Sequence, residues 1–138
     1  MAREKELVIW ADNRPGNLSK VGNTLRENGV NIIALMATGS KGTTPIHLMV
    51  DNAAKARDAI EALGLRVEER WVVTIELANR PGTLGTSMDI LALKGVNINY
   101  CYYSVTDGTS AYVVLGVADP RMVESLLKTR DQGNIQPR

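Results

Sequence analysis

The residues with the clearest capacity for chemistry are four asparagines, each set in a short string that occurs twice. Asn13-Arg14-Pro15-Gly16 recurs as Asn79-Arg80-Pro81-Gly82, and Asn31 and Asn97 each sit in a Gly-Val-Asn-Ile string. An asparagine amide brings a donor and an acceptor without a charge. That suits a zwitterion, whose carboxylate needs donors and whose ammonium needs acceptors, because no buried counter-charge is then required. A proline–glycine turn that opens a helix adds unsatisfied backbone N–H groups, a ready receptor for a carboxylate. Gly16 and Gly82 carry no Cβ to hold a ligand away from that backbone.

Other reactive residue types are scarce. The chain has one cysteine, Cys101, which removes intrachain disulfides and multi-cysteine metal frameworks. It lies in the apolar run from Val96 to Val105 and reads as a buried structural thiol. A nucleophilic cysteine would want a histidine beside it, and the single histidine, His47, is distant in sequence. His47 itself makes neither a triad nor a metal site and reads as a surface or interface residue of a strand. No catalytic residue, metal or cofactor is therefore expected. Sixteen Lys plus Arg against fifteen Asp plus Glu leave a net charge of +1 over 138 residues. So even a balance argues against phosphate neutralisation by a nucleic-acid binder and against a polybasic membrane binder. No run approaches the roughly 20 apolar residues of a membrane span, and the N-terminus lacks the apolar core of a signal peptide. A cytoplasmic protein with a reduced thiol is expected.

The elements that must position the asparagines come in two copies. Aligning Leu7–Val50 with Val73–Gly116 at one offset, without a gap, gives thirteen identities over forty-four positions, including Gly42-Thr43 with Gly108-Thr109. Matches in a single fixed register mark a duplication, which divides the chain into units of residues 1–70 and 71–138. In each copy a β-prone run (Leu7–Trp10, Val72–Ile75) leads into the proline–glycine turn. Pro15 and Pro81 are placed as helix starts. Apolar residues then recur at helical spacing, Leu18, Val21 and Leu25 in one copy and Leu84, Met88 and Leu91 in the other. Gly29 and Gly95 close these helices.

Second strands follow at Asn31–Thr38 and Asn97–Thr106, then turns at Ser40-Lys41-Gly42 and Asp107-Gly108. Third strands run over Pro45–Val50 and Ser110–Val117. Second helices are predicted from about Ala53 to Leu63 and from Pro120 to Lys128, and a fourth strand at Leu65–Glu69. Its counterpart around Asn134–Gln136 is weak. The order is βαββαβ twice, an α+β fold in which right-handed crossovers set both helices on one face of an antiparallel sheet of order 4-1-3-2, a ferredoxin-like arrangement. With Ile9 and Ile32 facing the helices, Val8, Trp10, Ile33 and Leu35 would form an open apolar face, which predicts a homo-oligomer, most simply a homodimer.

Asn-Arg-Pro-Gly-x-Leu, a helix, then Gly-Val-Asn-Ile on this frame, twice, resembles the ACT domain. The resemblance covers nearly the whole chain and implies allosteric binding of a small molecule, usually an amino acid, at interfaces between paired units. It implies that the turn of one unit faces the strand-two start of its partner, pairing Asn13 with Asn97 and Asn79 with Asn31. The expected ligand-binding residues are Asn13, Pro15, Gly16, Asn17, Leu18, Asn31 and Ile32 in the first copy. In the second they are Asn79, Pro81, Gly82, Thr83, Leu84, Asn97 and Ile98. Ile33, Ala34 and Met36 align with Asn99, Tyr100 and Tyr102, so one pocket would be apolar and the other polar and aromatic. The serine-sensing branch of the family carries a histidine two positions before the motif. Here those positions are Ala11 and Leu77, which turns the expectation towards an apolar amino acid.

Every one of these asparagines also has a purely structural reading, as a turn cap or as a hydrogen bond across units. The preferred expectation is a non-enzymatic amino-acid-binding regulator whose target, if any, is an enzyme in trans. The alternatives are a regulatory subunit similar to that of acetolactate synthase and a degenerate ACT pair serving as a scaffold. An acylphosphatase-like hydrolase would need a glycine-rich loop around Arg14. An RRM-type RNA binder would need aromatic and basic residues in place of His47-Leu48-Met49 and Val113-Val114-Leu115.

Overall fold

The structure is a computed structural model and describes residues 2–39 and 42–131. In chain order the elements are β1 (Ala2–Asp12), α1 (Asn17–Glu27), β2 (Ile32–Ala37), β3 (Thr43–Val50), α2 (Ala53–Glu61), β4 (Arg66–Ala78), α3 (Thr83–Leu93), β5 (Tyr100–Val105), β6 (Ser110–Gly116) and α4 (Pro120–Asp131). The βαββαβ reading is correct for the first copy. In the second copy the weak strand expected around 134–136 lies outside the described residues, as do Ser40 and Lys41 of the first hairpin. The two short strands expected at Leu65–Glu69 and Val72–Ile75 are a single strand, β4.

The chain divides into two compact units. One is Lys5–Arg70, and the other is Trp71 onward together with the chain's first residues through Glu4. Within Lys5–Arg70 the strand order is β2-β3-β1-β4, the expected 4-1-3-2. Its core fills the space between sheet and helices with Leu7, Ile9, Val21, Leu25, Ile46, Leu48, Ala56 and Ile60. In the other unit the order is β5-β6-β4, followed at the fourth position by the first residues of β1. Its core is Val73, Ile75, Leu77, Leu91, Val113, Leu115 and Val123.

Side-chain contacts hold Ala2–Glu4 into that second unit. Arg3 pairs with Glu124 at 3.5 Å and lies over the Trp71 ring at 4.9 Å. The Glu4 carboxylate accepts from the Tyr112 hydroxyl at 2.8 Å and from the Thr74 hydroxyl. Trp10 stacks under Arg66 in the same way, 5.4 Å away, so both tryptophans pack beside sheets under arginines.

The strand registers revise the ungapped repeat. Leu7 pairs with Leu48 and Ile9 with Ile46, whereas Val73 pairs with Leu115 and Ile75 with Val113. β6 therefore corresponds to β3 one residue further along, and the second hairpin is one residue longer. The backbone confirms it, since Asn13 N–H donates to Gly42 O and Asn79 N–H to Thr109 O, at 2.8 and 2.9 Å. The Gly-Thr identity in the turns is thus out of structural register. The corrected register explains a size exchange across paired strands: Ala34 faces Met49, while Tyr100 faces Gly116. A Cβ on Gly116 would stand 2.1 Å from the Tyr100 ring, so any larger residue there must displace the ring.

The face of the first sheet away from its helices is not open. Val8 and Glu6 are fully buried and Ala34, His47 and Met49 nearly so, while Trp10 and Ile33 are half-buried. Leu35 is exposed but pairs with the core residue Leu48, so a register shift early in β2 puts it on the helix side instead. His47 is correspondingly not a surface residue. It is 7 % exposed, with Nδ1 3.2 Å from Glu6 Oε2. Cys101 is also corrected. It is exposed on β5, because the strand's alternation sends Tyr102 inward instead. Partial desolvation nevertheless raises the thiol's pKa, which keeps the nucleophilic thiolate scarce at neutral pH.

Candidate functional site

Both proline–glycine turns share an unusual backbone. The helices begin at Asn17 and Thr83 rather than at the prolines, and the N-cap glycines are left-handed, Gly16 at φ 90° and Gly82 at φ 92°. Each glycine is thus required by conformation as well as by access. Space around the missing Cβ is open in both, so a substitution would meet a backbone cost alone. Replacing Gly16 by alanine is expected to destabilise the protein by about 1–2 kcal/mol. Gly22→Ala, in the middle of α1 with equally open space, is expected to stabilise it by roughly 0.5–1 kcal/mol. Urea unfolding of the two variants checks the opposite signs. At the far end of each helix, Gly29 and Gly95 close it as the sequence suggests. Val30 N–H donates to Leu25 O at 2.9 Å and Val96 N–H to Leu91 O at 3.0 Å, and both glycines have positive φ.

In the first copy the turn, the end of β2 and the start of β3 enclose a cavity of about 230 Å³, lined by Ala11, Asp12, Asn13, Arg14, Asn17, Leu18, Ala37, Gly39, Thr44 and Ile46. This is below the roughly 300–1,000 Å³ of pockets for drug-sized ligands and is on the scale of a small metabolite. Asp12 and Arg14 form an ion pair of 2.7 Å with both side chains largely exposed, so the rim of the cavity carries one anion and one cation. Asn17 caps the turn by donating to Asp12 O. The Asn13 amide lies beside Gly39, whose absent Cβ would sit 3.6 Å from Asn13 Nδ2. The Thr44 hydroxyl is shut from solvent and has no hydrogen-bond partner among the described residues. A hydroxyl without a partner is uncommon in folded proteins, and this one is screened from the cavity by its own surroundings as well as from solvent.

Three of the expected first-copy residues, Asn13, Asn17 and Leu18, thus share one cavity. Pro15 and Gly16 shape the turn without lining it. Asn31 and Ile32 line a different depression of about 390 Å³ at the end of α1, with Gly22, Leu25, Arg26, Gly29 and Val30. The Asn31 backbone there donates its N–H to Asp51 Oδ1 and accepts at its carbonyl from the Asp51 N–H. Asp12, Ala37 and Thr44 were not singled out from the sequence. Asp12 is the one charged residue of the lining that the second copy replaces, by Ala78. Thr44 gave no signal, because its isolation is a property of the packing.

The second copy treats the same positions differently. Thr83 is 3 % exposed, and its hydroxyl donates to Ala78 O at 2.8 Å. Leu84 and Ile98 pack against the core, whereas Leu18 and Ile32 are exposed. Asn97 donates to Asn99 Oδ1 at 3.1 Å. The Asn79 amide donates to Gly108 O at 3.1 Å and accepts from the Tyr103 hydroxyl at 3.3 Å. Pro81 and Gly82 repeat the turn of the first copy. Among the described residues no three His, Cys, Asp or Glu side chains cluster to hold a metal ion, and no helix is long and apolar enough to cross a membrane.

Comparisons with known proteins agree with this architecture. The family model described as an ACT domain pair matches residues 3–131. No curated protein sequence matches the chain. Among solved structures, protein BT0572 from Bacteroides thetaiotaomicron is 26% identical with a TM-score of 0.85, over 94% of this chain and 89% of that one. The regulatory subunit of aspartate kinase from Thermus thermophilus is 18% identical with a TM-score of 0.66, over 97% and 98% of the two chains. That of Thermus flavus is 20% identical at 0.59, over 95% and 94%. These last two likenesses concern the fold. With one family model spanning almost its full length, the chain belongs to the ACT domain pair family.

Proposed function

We propose that this protein is a non-enzymatic regulator that binds a free amino acid in the cavity of its first copy. The observation that carries the reading is the Asn13 cavity itself, set behind the left-handed Gly16 turn. The neutral Asn13 amide and the Asp12–Arg14 pair supply donors and acceptors for both ends of a zwitterion. Leu18, exposed at the lining, offers an apolar surface to a side chain, in keeping with an apolar amino acid. The far side of the ligand is met by a second ACT unit, in the manner the family implies.

Regulation follows if the ligand binds one arrangement of the units better than another. The activity regulated belongs to an enzyme in trans. That the same fold makes up almost the whole of a regulatory subunit of aspartate kinase in Thermus thermophilus supports this kind of partnership and suggests an enzyme of amino-acid biosynthesis. Thermal-shift measurements against each of the twenty common L-amino acids test the binding step, since a ligand that prefers the folded state raises its stability. At least one is expected to raise Tm in a saturable way, with apolar side chains strongest. No shift from any of them, in a folded sample, would leave a scaffold as the better reading.

A further inference from the structure

We propose that the second copy's counterpart of the Asn13 cavity is closed by the chain itself, with the Tyr103 side chain seated where the first copy leaves room for a ligand. The protein then has one amino-acid pocket per chain. This deepens the binding reading above and rests on it.

Ala37, which lines the open cavity, corresponds to Tyr103, and Gly39, beside the Asn13 amide, corresponds to Val105. In the corrected hairpin register Thr44 corresponds to Ala111, which is fully buried and core-packed. The first two changes put side-chain bulk where a ligand would lie, the phenol foremost. A lining alanine becomes a phenol, the open approach to the amide gains a branched side chain, and the threonine gives way to an alanine. The charge pair is lost as well, because Asp12 corresponds to Ala78.

The Asn79 amide is already engaged at both ends. Its Nδ2 donates to Gly108 O, and its Oδ1 accepts from the Tyr103 hydroxyl. The phenol therefore meets the acceptor that an ammonium or hydroxyl of a ligand would otherwise meet. Duplication supplied two turns of the same shape, and substitutions in the strands behind them decided which one stays open.

Chemical shifts of the Asn13 and Asn79 side-chain amides, followed in the full chain as each common L-amino acid is added, test the proposal. In the wild type the Asn13 amide is expected to move and the Asn79 amide to stay. In Tyr103→Ala both are expected to move, with the calorimetric stoichiometry rising from one to two per chain. Tyr103→Phe keeps the ring and removes only the hydroxyl, so its Asn79 amide is expected to stay unmoved. Tyr103 is exposed, so these variants are expected to fold. Movement of Asn79 in the wild type, or its silence in Tyr103→Ala while Asn13 responds, overturns the closure. Movement of Asn79 alone in Tyr103→Ala, with Asn13 silent throughout, supports the closure and overturns the first-copy reading. Silence of both amides in every protein overturns both.

Discussion

Replacing His47 by alanine is expected to cost about 3 kcal/mol of stability, the largest single effect anticipated outside the apolar core. Glu6 is fully buried, and its Oε2 lies 3.2 Å from His47 Nδ1. Removing the imidazole strips a hydrogen-bonding partner from a carboxyl that has no route to bulk water. It also opens a cavity beside Val8, which pairs directly with His47 across β1 and β3. The cost belongs to breaking the pair, not to the pair's net worth. A buried ionisable pair exchanged as a whole for apolar residues of similar size is often neutral or better. The double variant Glu6→Leu/His47→Leu is therefore expected to recover most of the loss. Urea denaturation of Glu6→Leu, His47→Leu and the double variant closes the thermodynamic cycle. A double variant as unstable as the sum of the singles would contradict this account of the site.

Glu4→Ala is expected to destabilise the second unit by about 2 kcal/mol, because it leaves the Tyr112 and Thr74 hydroxyls without their shared acceptor. The residue lies near the N-terminus, where substitutions are usually silent, so the size of the effect is diagnostic. Tyr112 adds a pH signature. Burial, first, and then its bond to the Glu4 carboxylate raise its pKa above the ordinary phenol value near 10. A raised folded-state pKa means that the unfolded chain loses the proton first. The stabilisation is complete below pH 10 and is lost as pH climbs above it. Alkaline unfolding monitored by circular dichroism is expected to begin there. It should begin later in Tyr112→Phe, which has no proton to lose, once that variant is compared at matched neutral stability.

Much of this architecture is legible in the sequence because it is written locally. The Asn-Arg-Pro-Gly strings, the apolar spacing of Val21 and Leu25, and Gly29 at a helix end are each short-range signals, and duplication doubles them. What escapes is long-range. Ala2–Glu4 reads as a solvated charged start, and only the partners Trp71, Thr74, Tyr112 and Glu124 make it part of a unit that begins at Trp71. The one-residue lengthening of the second hairpin is masked by Gly108-Thr109, which copies Gly42-Thr43 by type but not by place. Glu6 and His47 are residue types that favour surfaces, and their burial depends on a pairing forty-one residues apart. At the site, the turn asparagines announce themselves, whereas the openness of one copy and the closure of the other rest on Ala37, Gly39 and Thr44. These are small residues that carry no motif.

The central claim is that the Asn13 cavity holds an amino acid. Isothermal titration of the wild type and of Asn13→Ala, using whichever amino acid raises Tm most, tests it directly. A saturable site weakened roughly ten- to a hundredfold in Asn13→Ala, the worth of a hydrogen bond to a charged group, and unchanged in Asn79→Ala, is the predicted result. Equal affinity in wild type and Asn13→Ala would contradict it.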